Sequence, residues 1–88
     1  MPGGPAVVSG VVRDASGAPV EGARVMFADG PGPMPDVAAL TDAQGAFTLS
    51  APVAGRYRIQ CVVEGRSPVD VAVTLAAGDL QRIEVTVG

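Results

Sequence analysis

The sequence predicts an all-β protein, a seven-stranded Greek-key β-sandwich, and three observations carry that prediction. Apolar and polar residues alternate at period two, most cleanly where Tyr57, Ile59, Cys61 and Val63 interleave with Arg56, Arg58, Gln60 and Val62, and no stretch repeats at the helical period. Valine dominates the apolar residues, and its β-branched side chain favours the pleated strand over the helix. Twelve glycines and eight prolines fall between the apolar runs, where they punctuate strands rather than form one unstructured block.

Residues 1–5, MPGGP, are a Pro/Gly leader without a pattern, expected to be flexible, and residues 6–88 form one domain. The first strand, Ala6–Arg13, sets Val8, Gly10 and Val12 inward and Val7, Ser9, Val11 and Arg13 outward. Asp14-Ala-Ser-Gly17 then turns the chain: the Asp carboxylate accepts from an amide two residues on, and the glycine supplies positive φ. A short connection through Pro19 leads to Ala23–Ala28, with Ala23, Val25 and Phe27 inward and Arg24 and Met26 outward.

Asp29–Asp36, DGPGPMPD, holds three prolines and two glycines, so it is read as the long irregular loop. A short third strand, Val37–Thr41, precedes a second Asp-x-x-Gly turn, Asp42-Ala-Gln-Gly45. Ala46–Ser50 follows with Phe47 and Leu49 inward, and after the Pro52–Gly55 turn comes Arg56–Val63. Val69–Leu75 and Ile83–Val87, joined through Ala76–Asp79, complete the set of seven.

Three stretches carry a family resemblance: VSGVVRDASGAPVEGARV (Val8–Val25), TDAQGAFTL (Thr41–Leu49) and GRYRIQCVVEG (Gly55–Gly65). They resemble the carboxypeptidase-regulatory-like, transthyretin-like (prealbumin-like) β-sandwich domains, whose pattern runs hydrophobic-Gly-Val-Asp, a Gly turn, Pro, then Gly-Ala-x-Val. Arg66 stands where that pattern has a second tyrosine. The resemblance implies a transthyretin-like or immunoglobulin-like sandwich serving as an accessory or structural module. Transthyretin-like hydrolases use histidines and a C-terminal Tyr-Arg-Gly-Ser, whereas this chain has no histidine and ends RIEVTVG. Related adhesin modules form a Lys–Asn isopeptide bond, and this chain has neither residue.

At 88 residues the folded chain buries roughly 60–65% of the surface it exposes unfolded, so its core is thin. Only Phe27, Phe47 and Tyr57 are aromatic. A net charge of -3 without a single lysine argues against a nucleic-acid partner. No apolar segment is long enough for membrane insertion, and the first residues lack a signal-peptide pattern, which points to a cytoplasmic location, with export as part of a larger assembly the alternative. Cys61 is the only cysteine, inward by parity, and is read as a small hydrophobe.

With neither histidine nor lysine the chain has no base for a nucleophile, and seven of its nine acids fall in predicted turns. The expectation is therefore no enzyme and no catalytic residue. Asp14 and Asp42 lack the alternating oxygen ligands of a calcium loop and are read as turn caps, so no metal or other cofactor is expected. Five of six arginines, Arg13, Arg24, Arg56, Arg58 and Arg82, take outward strand positions, an ordinary guard against edge aggregation.

The leading functional reading is a non-catalytic module for protein–protein interaction or assembly, with a protein partner or self-association. The alternative is a carbohydrate or small-molecule binding module, which the lack of an outward aromatic platform disfavours. Partner-binding candidates are Val7, Val11, Met26 and Met34. Val7 and Val11 are outward valines that need cover, from the leader or a loop, or from a partner in a patch shared with Met26. Met34 sits at the tip of the Asp29–Asp36 loop, which is a stiff connector on one reading and a recognition loop on the other.

Overall fold

The computed structural model describes residues 5–31 and 38–88. Seven strands follow in chain order: β1 (Ala6–Asp14), β2 (Arg24–Asp29), β3 (Ala39–Leu40), β4 (Ala46–Ala51), β5 (Gly55–Val62), β6 (Val69–Leu75) and β7 (Leu80–Val87). Among the described residues there is no helix. The strands form two sheets, a three-stranded one ordered β4-β1-β7 and a four-stranded one ordered β3-β2-β5-β6. The chain crosses between them after β1, β3, β4 and β6.

Parity decides which side chains meet. On the small sheet Ala6, Val8 and Val12, Phe47, Leu49 and Ala51, and Val85 and Val87 are buried; on the large sheet Val25, Tyr57, Ile59, Cys61, Val73 and Leu75 face them. Burying an aliphatic or aromatic side chain contributes about 1.5–3 kcal/mol, so many small contacts replace the few large ones an aromatic-rich core would use. Phe27 is half-buried and stacks obliquely on Tyr57, ring centroids 4.7 Å apart at 46°. The Tyr57 hydroxyl donates to the Val53 carbonyl at 2.6 Å, which satisfies the polar end of an otherwise buried side chain.

Gly10, in the middle of β1, is opposite Phe47 on one side and Ile83 on the other. A Cβ there would collide with the Ile83 carbonyl and lie 2.7 Å from Phe47 Cζ, so the ring occupies the space that a side chain would take. The glycine in an apolar strand thus marks a close approach rather than a bend.

The Asp-x-x-Gly turns form as the sequence predicts. Asp14 Oδ1 accepts from the Ser16 amide at 2.9 Å, the Ser16 hydroxyl at 2.6 Å and the Ala18 amide at 3.1 Å. Asp42 Oδ1 accepts from the Gln44 and Ala46 amides, both at 2.9 Å. Gly45 has φ 76°, and any Cβ there would strike the Val12 carbonyl, so both backbone and space demand glycine. A third aspartate does related work from the other end of its turn: Asp79 Oδ2 accepts from the Ala76 amide at 2.9 Å.

Several expectations are corrected. β1 and β7 run parallel, whereas the sequence reading assumed an antiparallel sandwich; the chain passes through the other sheet between them, so they need no hairpin. β7 begins at Leu80 rather than Ile83, because pairing with β1 from Val7↔Leu80 onward holds residues whose own pattern is mixed. The third strand shrinks to Ala39–Leu40. Val37 lies outside the described residues, as do residues 1–4 of the leader and most of the Asp29–Asp36 loop. Thr41 is instead a buried clasp: its hydroxyl donates to the Val20 carbonyl at 2.7 Å and accepts from the Ala23 amide at 2.9 Å.

Phe47→Ala is expected to cost about 3–5 kcal/mol, because it removes a large core side chain and leaves a cavity over Gly10 that the backbone cannot fill. Urea or thermal unfolding measures it; a loss under about 1 kcal/mol would mean that the ring behaves as a surface residue.

Candidate functional site

The two outer faces of the sandwich and the sheet edges are what the molecule presents. The outer face of the small sheet is laid out by the pairing of β1 with its neighbours: Val7 lies between Ser50 and Leu80, Ser9 between Thr48 and Arg82, and Val11 between Ala46 and Glu84. Val7 and Val11 are half-buried there, and Leu80 is 80% exposed. At the far end Arg13 Nε is 3.3 Å from Glu84 Oε2 in a surface ion pair. Leu80 escaped sequence reasoning because it was assigned to the segment before the last strand.

Met26 does not join this face. It alternates with buried Val25 on β2, and so projects from the outer face of the other sheet, beside Gln60. Val7, Val11 and Met26 therefore lie on opposite sides of the molecule, and a shared patch is ruled out by the two-layer geometry. Met34 lies outside the described residues.

The outer face of the large sheet carries three of the six arginines. Arg24 is opposite Leu40 and Val62, Arg58 opposite Asp29 and Ala72, and Arg56 opposite Thr74. All three arginines are exposed. A bulge between Phe27 and Asp29 brings Asp29 onto the row of Arg58. An open concavity of about 440 Å³ lies over Arg56, Arg58, Ala72 and Thr74, bordered by Asp29. A second, of about 340 Å³, lies between Arg24, Val62, Glu64 and Gly22 near the opposite end of the same sheet.

The chemical inventory is sparse. Among the described residues no three His, Cys, Asp or Glu side chains come together as a metal site. Cys61 is 1% exposed, and burial pushes its thiol above the ordinary value. Asp14 is held below the usual carboxylate value, chiefly by the Ser16 hydroxyl and then by the Ala18 amide. A lowered carboxyl favours the folded state above the pKa of the unfolded chain, and that contribution is lost as pH falls through the folded value.

Comparison with known proteins gives one family match: the carboxypeptidase regulatory-like domain, over residues 7–88. None of the curated proteins is a significant sequence match. Among solved structures, a chain of a type II cohesin–X-dockerin complex from Acetivibrio cellulolyticus superposes with a TM-score of 0.71 at 20% identity, covering 93% of this chain and 56% of that one. The dioxygenase domain of a dioxygenase–carbohydrate-binding protein fusion from Streptomyces sp. SirexAA-E gives 0.70 at 19%, covering 97% and 80%. The major pilin subunit of Bacillus cereus gives 0.69 at 17%, covering 94% and 28%. At these identities the likeness is one of fold, and the chain spans little more than half of the first of these structures.

Two measurements check the local chemistry. Native Cys61 is expected to react with a thiol reagent far more slowly than in denaturant, since a desolvated thiol rarely ionises; equal rates would place it at the surface. Ser16→Ala is expected to raise the Asp14 carboxyl toward its ordinary value in an NMR titration, and an unmoved titration would remove the serine hydroxyl as the main cause.

Proposed function

Because the chain belongs to the carboxypeptidase regulatory-like domain family, we propose that it works as a non-catalytic β-sandwich module for protein–protein interaction or assembly, an accessory or spacer domain of a larger complex. The observation that carries this reading is where its reactive groups lie. The one thiol is buried, Asp14, Asp42 and Asp79 are engaged in their own turns, and the sequence supplies no histidine or lysine to act as a base. What faces solvent includes the outer faces of the two sheets and their edges, surfaces suited to meeting another protein.

The placement of the aromatics supports a protein partner over a carbohydrate. Phe47 and Tyr57 are buried and Phe27 is half-buried against Tyr57, so none offers a flat exposed ring on which a sugar could stack. The cohesin–dockerin and pilin structures that share the fold come from proteins that assemble with others, which agrees with the reading.

The test is affinity capture on the immobilised folded chain, with the Phe47→Ala variant as an unfolded control and sedimentation to detect self-association. Capture or self-association that depends on the folded state is the expected result. Neither appearing, or equal capture by the unfolded control, would overturn the proposal. The double change Val7→Glu, Val11→Glu is expected to leave the melting temperature within a few degrees, because both valines project from the outer face. A collapse of the melting transition would place them in the core. Capture lost in the still-folded variant assigns the small-sheet face, and capture retained assigns the large sheet or an edge.

A further inference from the structure

The outer face of β5 and the free edge of β6 form one surface. β6 is the last strand of its sheet, and no described residue pairs with its far side. An unpaired edge presents a row of backbone donors and acceptors whose natural complement is another strand. β6 reads VDVAVTL: it has no proline, glycine, lysine or arginine, and Asp70, which accepts from the Gln60 side-chain amide at 3.3 Å, is its one charge. Its core-facing Val69 and Val71 are only half-buried, whereas Val73 and Leu75 further along are buried.

The arginines on β5 give this edge a charge preference. Arg56 and Arg58 project from the same face, about 7 Å apart by strand geometry. They stand across from Thr74 and Ala72, side chains short enough for a guanidinium to reach over β6 toward its free edge. Neither arginine forms an ion pair with a described residue. Asp29, the acid across from Arg58, turns its Oδ1 to the Gly30 amide at 2.9 Å. The concavity of about 440 Å³ lies over these four side chains.

We infer that β6 receives an extended segment of a partner protein in which acidic residues alternate with apolar ones. The added strand lies about 4.8 Å beyond β6, and its alternate side chains repeat at the same spacing as Arg56 and Arg58. Two carboxylates at positions i and i+2 therefore meet the two guanidinium groups in charge-assisted hydrogen bonds. The apolar residue between them turns inward across from Val73 and the next one covers half-buried Val71, and the segment carries an uncharged residue where it passes Asp70. This deepens the interaction-module reading and rests on it.

The probe is a short, end-capped, fluorescein-labelled peptide of alternating glutamate and valine, with a peptide of the same composition arranged in blocks as the control. The alternating peptide is expected to bind, to shift the amide resonances of β6, and to weaken as salt rises. Arg56→Gln with Arg58→Gln is expected to weaken binding by about tenfold or more, the loss of about 1.4 kcal/mol of interaction. Thermal melting confirms that this variant folds; should it not, Ala72→Glu, which sets a carboxylate of the chain's own across from Arg58, is expected to give the same loss. Equal binding of the two peptides, shifts on another face, or no binding at millimolar peptide would overturn the inference. So would arginine-dependent binding of polygalacturonate in place of the peptide, or a dimer formed through β6. Partner capture that survives loss of both arginines leaves the module reading in place and removes this one.

Discussion

The small sheet depends on the close approach at Gly10. β1 is its central strand, paired antiparallel to β4 and parallel to β7, and at Gly10 the Phe47 ring and the Ile83 carbonyl both occupy the volume where a side chain would stand. With only three aromatic residues in the chain, the placement of one ring weighs heavily in a thin core. A larger residue at position 10 would push β4 and β7 away from β1 together. The buried layer of Val8, Val12, Leu49 and Val85 would then lose contact with the facing sheet.

Crossing between sheets four times creates a second demand, that each connection satisfy its backbone without a helix. Asp14, Asp42 and Asp79 do this locally, each carboxylate accepting one or more amides of its own turn. Thr41 does it over a distance, tying the start of β2 to the end of β3 through the Val20 carbonyl and the Ala23 amide. These three carboxylates and the Thr41 hydroxyl are thus engaged in holding the fold.

The outer faces differ in character. The small-sheet face mixes Val7, Val11 and exposed Leu80 with Arg82 and the Arg13–Glu84 pair. The large-sheet face bears Arg24, Arg56 and Arg58 with Asp70 and ends at the free edge of β6.

The sequence by itself determined the number of strands, the inward and outward faces of the clearly alternating ones and the aspartate turns, because a period-two alternation and an Asp-x-x-Gly turn are local properties. The inward assignments of Tyr57, Ile59 and Cys61 and the outward assignments of the arginines follow from parity alone, and the structure agrees with them. Tertiary structure decided which strand lies beside which. Parity states that Val7, Val11 and Met26 point outward but is silent on which sheet each belongs to, so it could not separate them onto opposite faces. Nor could it foresee the parallel pairing that extends β7 to Leu80, the burial of Thr41, or the free edge of β6 beside Arg56 and Arg58. Each of these depends on residues distant in the chain, and alternation, being compatible with many registers and strand orders, carries no information about what stands across from it.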